Sequence, residues 1–220
     1  MKIESIKKSY KKNQILRDIN LSAQDGMCIG LIGSNGSGKS TLLSILAGIT
    51  KADSGKFVYD NTDLLSDNKK RSEFVGYVPQ GTPLLEELSA KDNLSLWYSS
   101  ARLKTELSCG VLKMLGIDEF INTPVYKMSG GMKKRLSIGC AVASNPKILL
   151  LDEPTAALDL ICKDSIAKYL MEFKSKGNII LLATHDLQEL NLCDKLYVLK
   201  NGVLHPADIS QGVEKLVEML

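Results

Sequence analysis

The fold of this chain is decided by the stretch Gly33-Ser34-Asn35-Gly36-Ser37-Gly38-Lys39-Ser40-Thr41. It satisfies Gly-x-x-x-x-Gly-Lys-Ser/Thr, a pattern in which the backbone N–H groups of a glycine-rich loop cradle phosphate oxygens. The sequence predicts an apolar strand before it, over 27–32, and after it a helix over 39–47 that Gly48 closes. A chance match of the fixed positions is expected in about one such chain per hundred, and these flanks reduce that further.

The loop and the helix that follows it predict a phosphate site. A helix N-terminus carries a partial positive charge, which favours an anion there. In this arrangement Lys39 can reach the β- and γ-phosphates of a nucleotide, and Ser40 can hold Mg²⁺. The sequence therefore favours a nucleotide-binding protein of the P-loop kind.

Composition places the chain among ordinary globular proteins. Of its 220 residues 44% are hydrophobic and 24% charged, which is typical of one compact domain with a substantial core. A net charge of +3 and 5% aromatic residues do not favour a nucleic-acid binder. The five cysteines include no Cys-x-x-Cys pair, so we expect reduced thiols. They are Cys28, Cys109, Cys140, Cys162 and Cys193.

The apolar runs are too short to cross a membrane. Residues 148–151 and 179–183 fall far below the roughly 20 apolar residues that a bilayer requires. Glu4 lies where a secretion signal would need an apolar stretch. We therefore expect a cytoplasmic protein, and any membrane association would have to come through a partner.

The order of strand and helix patterns predicts an α/β fold: a P-loop NTPase core with a mostly parallel sheet, an antiparallel β subdomain and an inserted α-helical subdomain. Strand patterns cover 2–10, 14–23, 56–60, 147–151 and 178–183, and helix patterns cover 90–103, 105–116, 130–143 and 159–175. We expect one domain. Its parts are a core over 1–80 and 146–205, a helical subdomain over 81–145 and a tail helix over 206–220, with Val213, Leu216, Val217 and Leu220 on its apolar face.

Two predicted strands end in groups suited to phosphate chemistry. The apolar run 148–151 leads into Asp152 and Glu153, at the carboxyl edge where open α/β sheets bind ligands. We expect Asp152 to orient Mg²⁺ and Glu153 to act as the general base that polarises the attacking water. His185 follows the strand over 179–184 and can bond a γ-phosphate oxygen. An acidic turn and a structural histidine are the plainer alternatives.

A second candidate anion site opens the helix pattern at 130. Ser129 is a credible N-cap, and Gly130 and Gly131 expose backbone N–H groups. Taken alone, this segment is better explained as an ordinary capped helix. The basic run Lys133-Lys134-Arg135 is expected to form a solvated face.

Together these motifs, in this order, resemble the ATP-binding subunits of ABC transporters over essentially the whole chain. The resemblance implies Mg²⁺-dependent ATP hydrolysis in a head-to-tail dimer, in which Ser129-Gly130-Gly131 of one protomer closes over ATP on the other. By the same resemblance Tyr10 stacks on adenine, Gln80 links Mg²⁺ to the transport partner, and Asp159 lies in a loop that crosses the dimer interface. Without it, Tyr10 would be an ordinary strand aromatic and Gln80 a turn residue.

The segment around Ser129 departs from the usual Leu-Ser-Gly-Gly-Gln motif. Met128 replaces leucine and Met132 replaces glutamine, which puts any nucleotide-sensing role of that glutamine in doubt. Ser-Gly-Gly-Met followed by basic residues is similar to subunits of exporter-type systems. The resemblance thus implies a homodimer or heterodimer on the cytoplasmic face of the membrane, driving separate membrane subunits.

The partner would be contacted through a groove beyond Gln80. The residues considered for it, of which most are better explained by core packing, are Leu84, Leu85, Trp97 and Tyr98. Alternatives remain: an importer ATPase subunit, an ABC-type ATPase acting on nucleic acid or ribosomes, and a nucleotide-gated regulatory module. The intact Glu153 and His185 oppose the last, and we expect no nucleic-acid partner.

Overall fold

A computed structural model describes residues 1–208 and contains two sheets. The strands are β1 (Lys2–Tyr10), β2 (Asn13–Ser22), β3 (Cys28–Ile32), β4 (Ser54–Tyr59), β5 (Thr62–Asp63), β6 (Val75–Val78), β7 (Ile148–Asp152), β8 (Ile179–Ala183), β9 (Lys195–Lys200) and β10 (Val203–Ala207). The α-helices are α1 (Lys39–Leu46), α2 (Asn68–Phe74), α3 (Ala90–Ser95), α4 (Ser100–Cys109), α5 (Val111–Met114), α6 (Gly130–Ala141), α7 (Leu160–Ser175) and α8 (Leu187–Leu190). Short 3₁₀ turns cover Ile117–Phe120 and Val125–Lys127.

The larger sheet is mostly parallel and has the order β10-β9-β3-β8-β7-β6. Every residue of β3, β7 and β8 is buried, as expected for strands covered on both faces. Asp152 pairs with Ala183 across β7 and β8, and Val78 pairs with Leu151 across β6 and β7. This register brings the carboxyl ends of β3, β6, β7 and β8 to one edge.

Two apolar cores lie on opposite faces of this sheet because side chains alternate along each strand. Leu149 and Leu151 join one core with residues of α6 and α7. Ile148 and Leu150 join the other, with residues of α1 and the smaller antiparallel sheet. The smaller sheet has the order β2-β1-β4-β5, which confirms the predicted antiparallel β part.

The helical region differs from the sequence prediction in its breaks. The helix predicted over 90–103 is two helices, because Ser99 caps α4 through a bond from the Arg102 amide to its hydroxyl at 3.4 Å. The turn before Ser99 buries Tyr98, whose hydroxyl donates to the Gly139 carbonyl at 2.8 Å. The helix predicted over 105–116 is likewise interrupted, at Gly110.

The end of the chain also corrects a prediction. Residues 206 and 207 do not open a tail helix, because they belong to strand β10 and pair with Tyr197 and Leu196 of β9. Residues 209–220, which carry the predicted apolar face of that helix, lie outside the described part. Strands β5, β6, β9 and β10 and helices α2 and α8 were not predicted. Within residues 1–208 no helix is both long and apolar enough to span a membrane.

Candidate nucleotide site

The glycine-rich loop connects β3 to α1 and requires glycine for steric reasons. Gly38 has a φ of 110°, and a Cβ there would meet Ile15 Cγ2 at 2.9 Å. A Cβ at Gly33 would lie 2.7 Å from the Leu199 carbonyl oxygen. The loop can therefore turn tightly and present backbone at its surface only with these residues.

Lys39 lies inside the loop. Its side chain is 6% exposed, and its ammonium donates to the carbonyls of Gly33 and, at 3.4 Å, Ser34. Its Nζ is also 3.2 Å from His185 Nε2. Burial lowers the pKa of Lys39, and the carboxylates of Glu153 and Asp152 oppose that shift. The geometry thus holds a cation at the centre of the predicted phosphate cradle.

A cleft of about 480 Å³ opens over this loop. Its lining consists of Tyr10, Ile15, Asn35, Gly36, Ser37, Gly38, Lys39, Ser40, Thr41, Gln80 and Glu153. Tyr10 ends β1 and is 48% exposed, so its ring is available for contact. The structure therefore collects residues from four separate parts of the chain around one polar cleft.

Asp152 ends β7 and is buried beside Ser40. Burial raises the pKa of Asp152, and the neighbouring Ser40 hydroxyl opposes that shift. Oxygen donors of this kind fit Mg²⁺, which takes one or two protein groups together with phosphate and water. The site therefore fits Mg²⁺ held jointly with a nucleotide.

Glu153 occupies an unusual backbone position directly after β7. Its φ is 47°, in the left-handed region, and its amide donates to the Ala183 carbonyl at 2.8 Å. Such strain persists only where the surroundings impose it, and it is frequent at functional sites. The Glu153 Oε2 accepts from Gln80 Nε2 at 3.0 Å, and Oε1 lies 3.8 Å from His185 Nε2. The strand ends thus bring Gln80, Glu153 and His185 together.

The His185 imidazole faces both Lys39 and Glu153. Burial lowers the pKa of His185, the Lys39 ammonium lowers it further, and Glu153 opposes the shift. A histidine with a pKa below its ordinary value is neutral near pH 7. A neutral ring can donate one hydrogen bond and accept another, which suits a contact with a phosphate oxygen.

The second predicted anion site does not line the cleft of its own chain. Ser129 caps α6, with the Met132 amide donating to its hydroxyl at 3.2 Å, and Ser129 and Gly130 are exposed. Gly131 is buried, and a Cβ there would lie 2.4 Å from Cys162 Sγ on α7. The starts of α6 and α7 therefore lie side by side.

Asp159 caps the second of these helices. The Cys162 amide donates to Asp159 Oδ1 at 2.8 Å, and this bond holds the pKa of the exposed Asp159 carboxyl below its ordinary value. Like Ser129, Asp159 is absent from the lining of the cleft. These residues are accessible to a second molecule.

Lys134 is a residue of this region that was not predicted from the sequence. Lys134 is 5% exposed and donates to the carbonyls of Pro79 and Gln80, both at 2.9 Å, so the expected solvated face is wrong at this position. Its neighbour Lys133 pairs with the exposed Glu86 at 3.0 Å. The signal was helical spacing, since Lys134 falls between the buried positions Gly131 and Ile138.

The fold and the site together define a P-loop nucleotide hydrolase. The chain matches the ABC transporter family over residues 16–156. It therefore belongs to the ABC transporter family, as an ATP-binding and ATP-hydrolysing subunit. The family resemblance and the fold class expected from the sequence are confirmed.

Relatives and solved structures agree with this assignment. The chain is 32% identical to the lantibiotic transport ATP-binding protein SrtF of Streptococcus pyogenes over 100% of this chain and 95% of that protein. It is 34% identical to a probable sulfate/thiosulfate import ATP-binding protein, CysA, of Chlorella vulgaris, over 91% and 87%. The dimeric ATP-binding cassette MJ0796 in a post-hydrolysis state with ADP and Pi is 29% identical and superposes with a TM-score of 0.84, over 94% and 98%.

Proposed function

We propose that two copies of this chain close on two Mg·ATP molecules, with each site completed by the Ser129-Gly130-Gly131 segment of the other copy. The observation that carries this proposal is the placement of that segment. Its exposed helix start can bind an anion, yet it lies outside the cleft of its own chain. The dimeric structure of the similar cassette MJ0796 supports it.

Residues of the cleft and of the strand ends beside it have separate proposed tasks. Lys39 and the loop amides hold the β- and γ-phosphates, and Tyr10 stacks on the adenine. Ser40, Asp152 and Gln80 would hold Mg²⁺, which neutralises phosphate charge when bound. Glu153 accepts the proton of the attacking water, and the neutral His185 bonds a γ-phosphate oxygen. Breaking the β–γ bond releases ADP and phosphate.

The partner interface is proposed on the helical part of the chain. Several large apolar side chains there are more than one third exposed, namely Leu85, Leu88, Leu96, Trp97 and Tyr126. Leu84 and Tyr98, considered with them from the sequence, instead pack against the core. Large apolar side chains exposed on this part of the chain support a protein contact there. Separate membrane subunits would bind it, with this chain on the cytoplasmic face of the membrane.

Export is the proposed direction of transport. The Ser-Gly-Gly-Met sequence and the end-to-end match to the lantibiotic transport protein support it. Import is the competing possibility, which the similarity to the sulfate/thiosulfate protein keeps open. Identifying the membrane protein that co-purifies with this chain would decide between them.

One variant tests the dimer proposal. Glu153→Gln keeps the shape of the side chain but removes the base, so ATP should bind, hydrolysis should fall by two to four orders of magnitude (roughly 10²–10⁴-fold) and a dimer should accumulate. Size-exclusion chromatography with light scattering, with ATP or with ADP, measures this. An ATP-loaded variant that remains monomeric at high concentration refutes the dimer proposal, and full turnover in the variant refutes the role of Glu153 as the base.

A further inference from the structure

Lys134 is a buried cation that the proposed hydrolysis does not use. It lies on α6 and its side chain is 5% exposed, although the neighbouring Lys133 reaches the surface. Burial lowers the pKa of Lys134, and the carboxylates of Asp152, Glu153 and Glu189 oppose that shift. A buried ammonium is costly unless hydrogen bonds compensate it, so its contacts require an explanation.

Both contacts of the Lys134 ammonium are to backbone. The Pro79 and Gln80 carbonyls accept from Nζ at 2.9 Å each, directly after β6 ends at Val78. The ammonium thus fixes the chain at the point where it leaves the sheet. Because backbone atoms accept these bonds, the side chain of Gln80 remains free to point elsewhere.

The side chain of Gln80 points to the proposed base. Its Nε2 donates to Glu153 Oε2 at 3.0 Å. A continuous path of hydrogen bonds therefore runs from α6 through Lys134 and Gln80 to Glu153. The same helix begins at Gly130, in the segment that we propose completes the site of the other copy.

The far end of the segment after Gln80 is anchored separately. Asn93 on α3 is buried, accepts from the Leu85 amide at 2.9 Å and donates to the Leu85 carbonyl at 3.1 Å. Residues 81–84 thus lie between two anchored positions, Gln80, which Lys134 holds, and Leu85, which Asn93 holds. Loss of the Lys134 contact would release one end of this segment and leave the other in place.

We propose that Lys134 is a positioning residue that ties the Gln80 backbone to α6 and thereby fixes the position of Gln80 relative to Glu153. This inference rests on the proposed function, because it gives Gln80 and Glu153 their roles. Its physical content is that the Lys134 ammonium holds the Gln80 carbonyl at hydrogen-bond distance from a side chain of α6.

The test compares three variants of the full chain. Lys134→Met keeps the apolar stem and removes the donor, Lys134→Arg keeps a donor, and Lys133→Met is the control from the same helix. Outer-shell partners of metal ligands typically change activity by about 10- to 100-fold, so Lys134→Met should lower kcat by about that factor. It should also raise the Mg²⁺ concentration for half-maximal activity, with the KM for ATP little changed. Lys134→Arg should restore part of kcat, and Lys133→Met should resemble wild type.

A double-mutant cycle separates positioning from packing. If Lys134 acts through Gln80, then Gln80→Ala combined with Lys134→Met should lower kcat no further than Gln80→Ala alone. Additive losses, or a kcat loss in Lys134→Met that follows a loss of folded protein, would overturn the inference. A Gln80→Ala variant with unchanged activity would instead overturn the role proposed for Gln80.

Hydrogen exchange provides a readout that does not depend on hydrolysis. In Lys134→Met the Leu84 amide, which donates to the Thr82 carbonyl at 2.8 Å, should exchange faster than in wild type and in Lys133→Met, while the Leu85 amide stays protected by Asn93. Unchanged exchange of the Leu84 amide would overturn the inference even if the wild-type chain hydrolyses ATP. Faster exchange in Lys134→Met, found together with a wild-type chain that has no ATPase activity, would overturn the proposed function alone.

Discussion

Replacing Gly131 by alanine should destabilise the chain, because the contact between α6 and α7 leaves no room for a side chain. A Cβ built there would lie 2.4 Å from Cys162 Sγ and 3.2 Å from Cys162 Cβ. Favourable contacts between heavy atoms need about 3.5–4.0 Å, so the helices must separate by about 1 Å or the thiol must rotate. Forced overpacking of this kind costs about 1–3 kcal/mol.

The assay is urea and thermal unfolding of the nucleotide-free protein. For a chain of this size each 1 kcal/mol lowers Tm by about 2–4 °C, so Gly131→Ala should lower Tm by about 2–12 °C. Gly130→Ala is the matched control, because nothing lies closer to its added Cβ than Leu158 Cδ2 at 3.9 Å. Its unfolding free energy should stay within about 0.5 kcal/mol of wild type.

A second substitution checks the cause. Cys162→Ala removes the sulfur that the new methyl group would meet. In the Cys162→Ala background, Gly131→Ala should therefore lower the stability much less than it does in the wild type. A Gly131→Ala protein as stable as wild type, or a loss that Cys162→Ala leaves unchanged, would refute this reasoning. Gly130→Ala should remain folded but hydrolyse ATP more slowly, since its methyl group would occupy the exposed helix start.

Three further outcomes follow from the site and its surroundings. Lys39→Ala should weaken ATP binding, measured by fluorescent nucleotide titration, and unchanged affinity would contradict the proposed phosphate contact. In the folded chain the pKa of His185 lies below its ordinary value of 6.5. As the pH falls through this region, the unfolded chain binds more protons than the folded chain, so the stability of the wild type decreases. The Tm of the nucleotide-free wild type should therefore drop more steeply between pH 7.5 and 5.5 than that of His185→Gln, and parallel profiles would exclude this effect. Tyr98→Phe removes the buried bond to Gly139 and should cost about 1 kcal/mol in urea unfolding with kcat unchanged, whereas full stability would show that the bond contributes nothing.

The sequence predicted the parts of the fold that have strong local signals. The loop at 33–41 has a fixed spacing, and the strands at 147–151 and 178–183 are continuous apolar runs. The positions of these elements along the chain could therefore be predicted from the sequence. The strand Val75–Val78 was missed because four residues between a helix and a proline carry little periodicity. Its pairing with β7 comes from tertiary packing.

The site was predictable where a residue follows a strand directly. Asp152, Glu153 and His185 reach one edge because parallel strands end together. The contacts between these residues and Gln80 were not predictable, because they depend on how a loop turns after leaving β6. Lys134 was wrongly expected to be solvated, because the charges of a basic run do not show which member faces inward. The helical spacing from Gly131 and Ile138 was the signal that distinguishes it.

The central claim is that each site needs two chains, and mixing two inactive variants tests it most directly. Lys39→Ala disables the phosphate loop, and Gly130→Glu, whose Cβ position is open, places a negative charge at the exposed helix start. Each variant alone should hydrolyse ATP very slowly. In an equal mixture half of the dimers combine both chains and keep one intact site, so activity should recover to about one quarter of wild type. A mixture no more active than its components would contradict a site shared between chains.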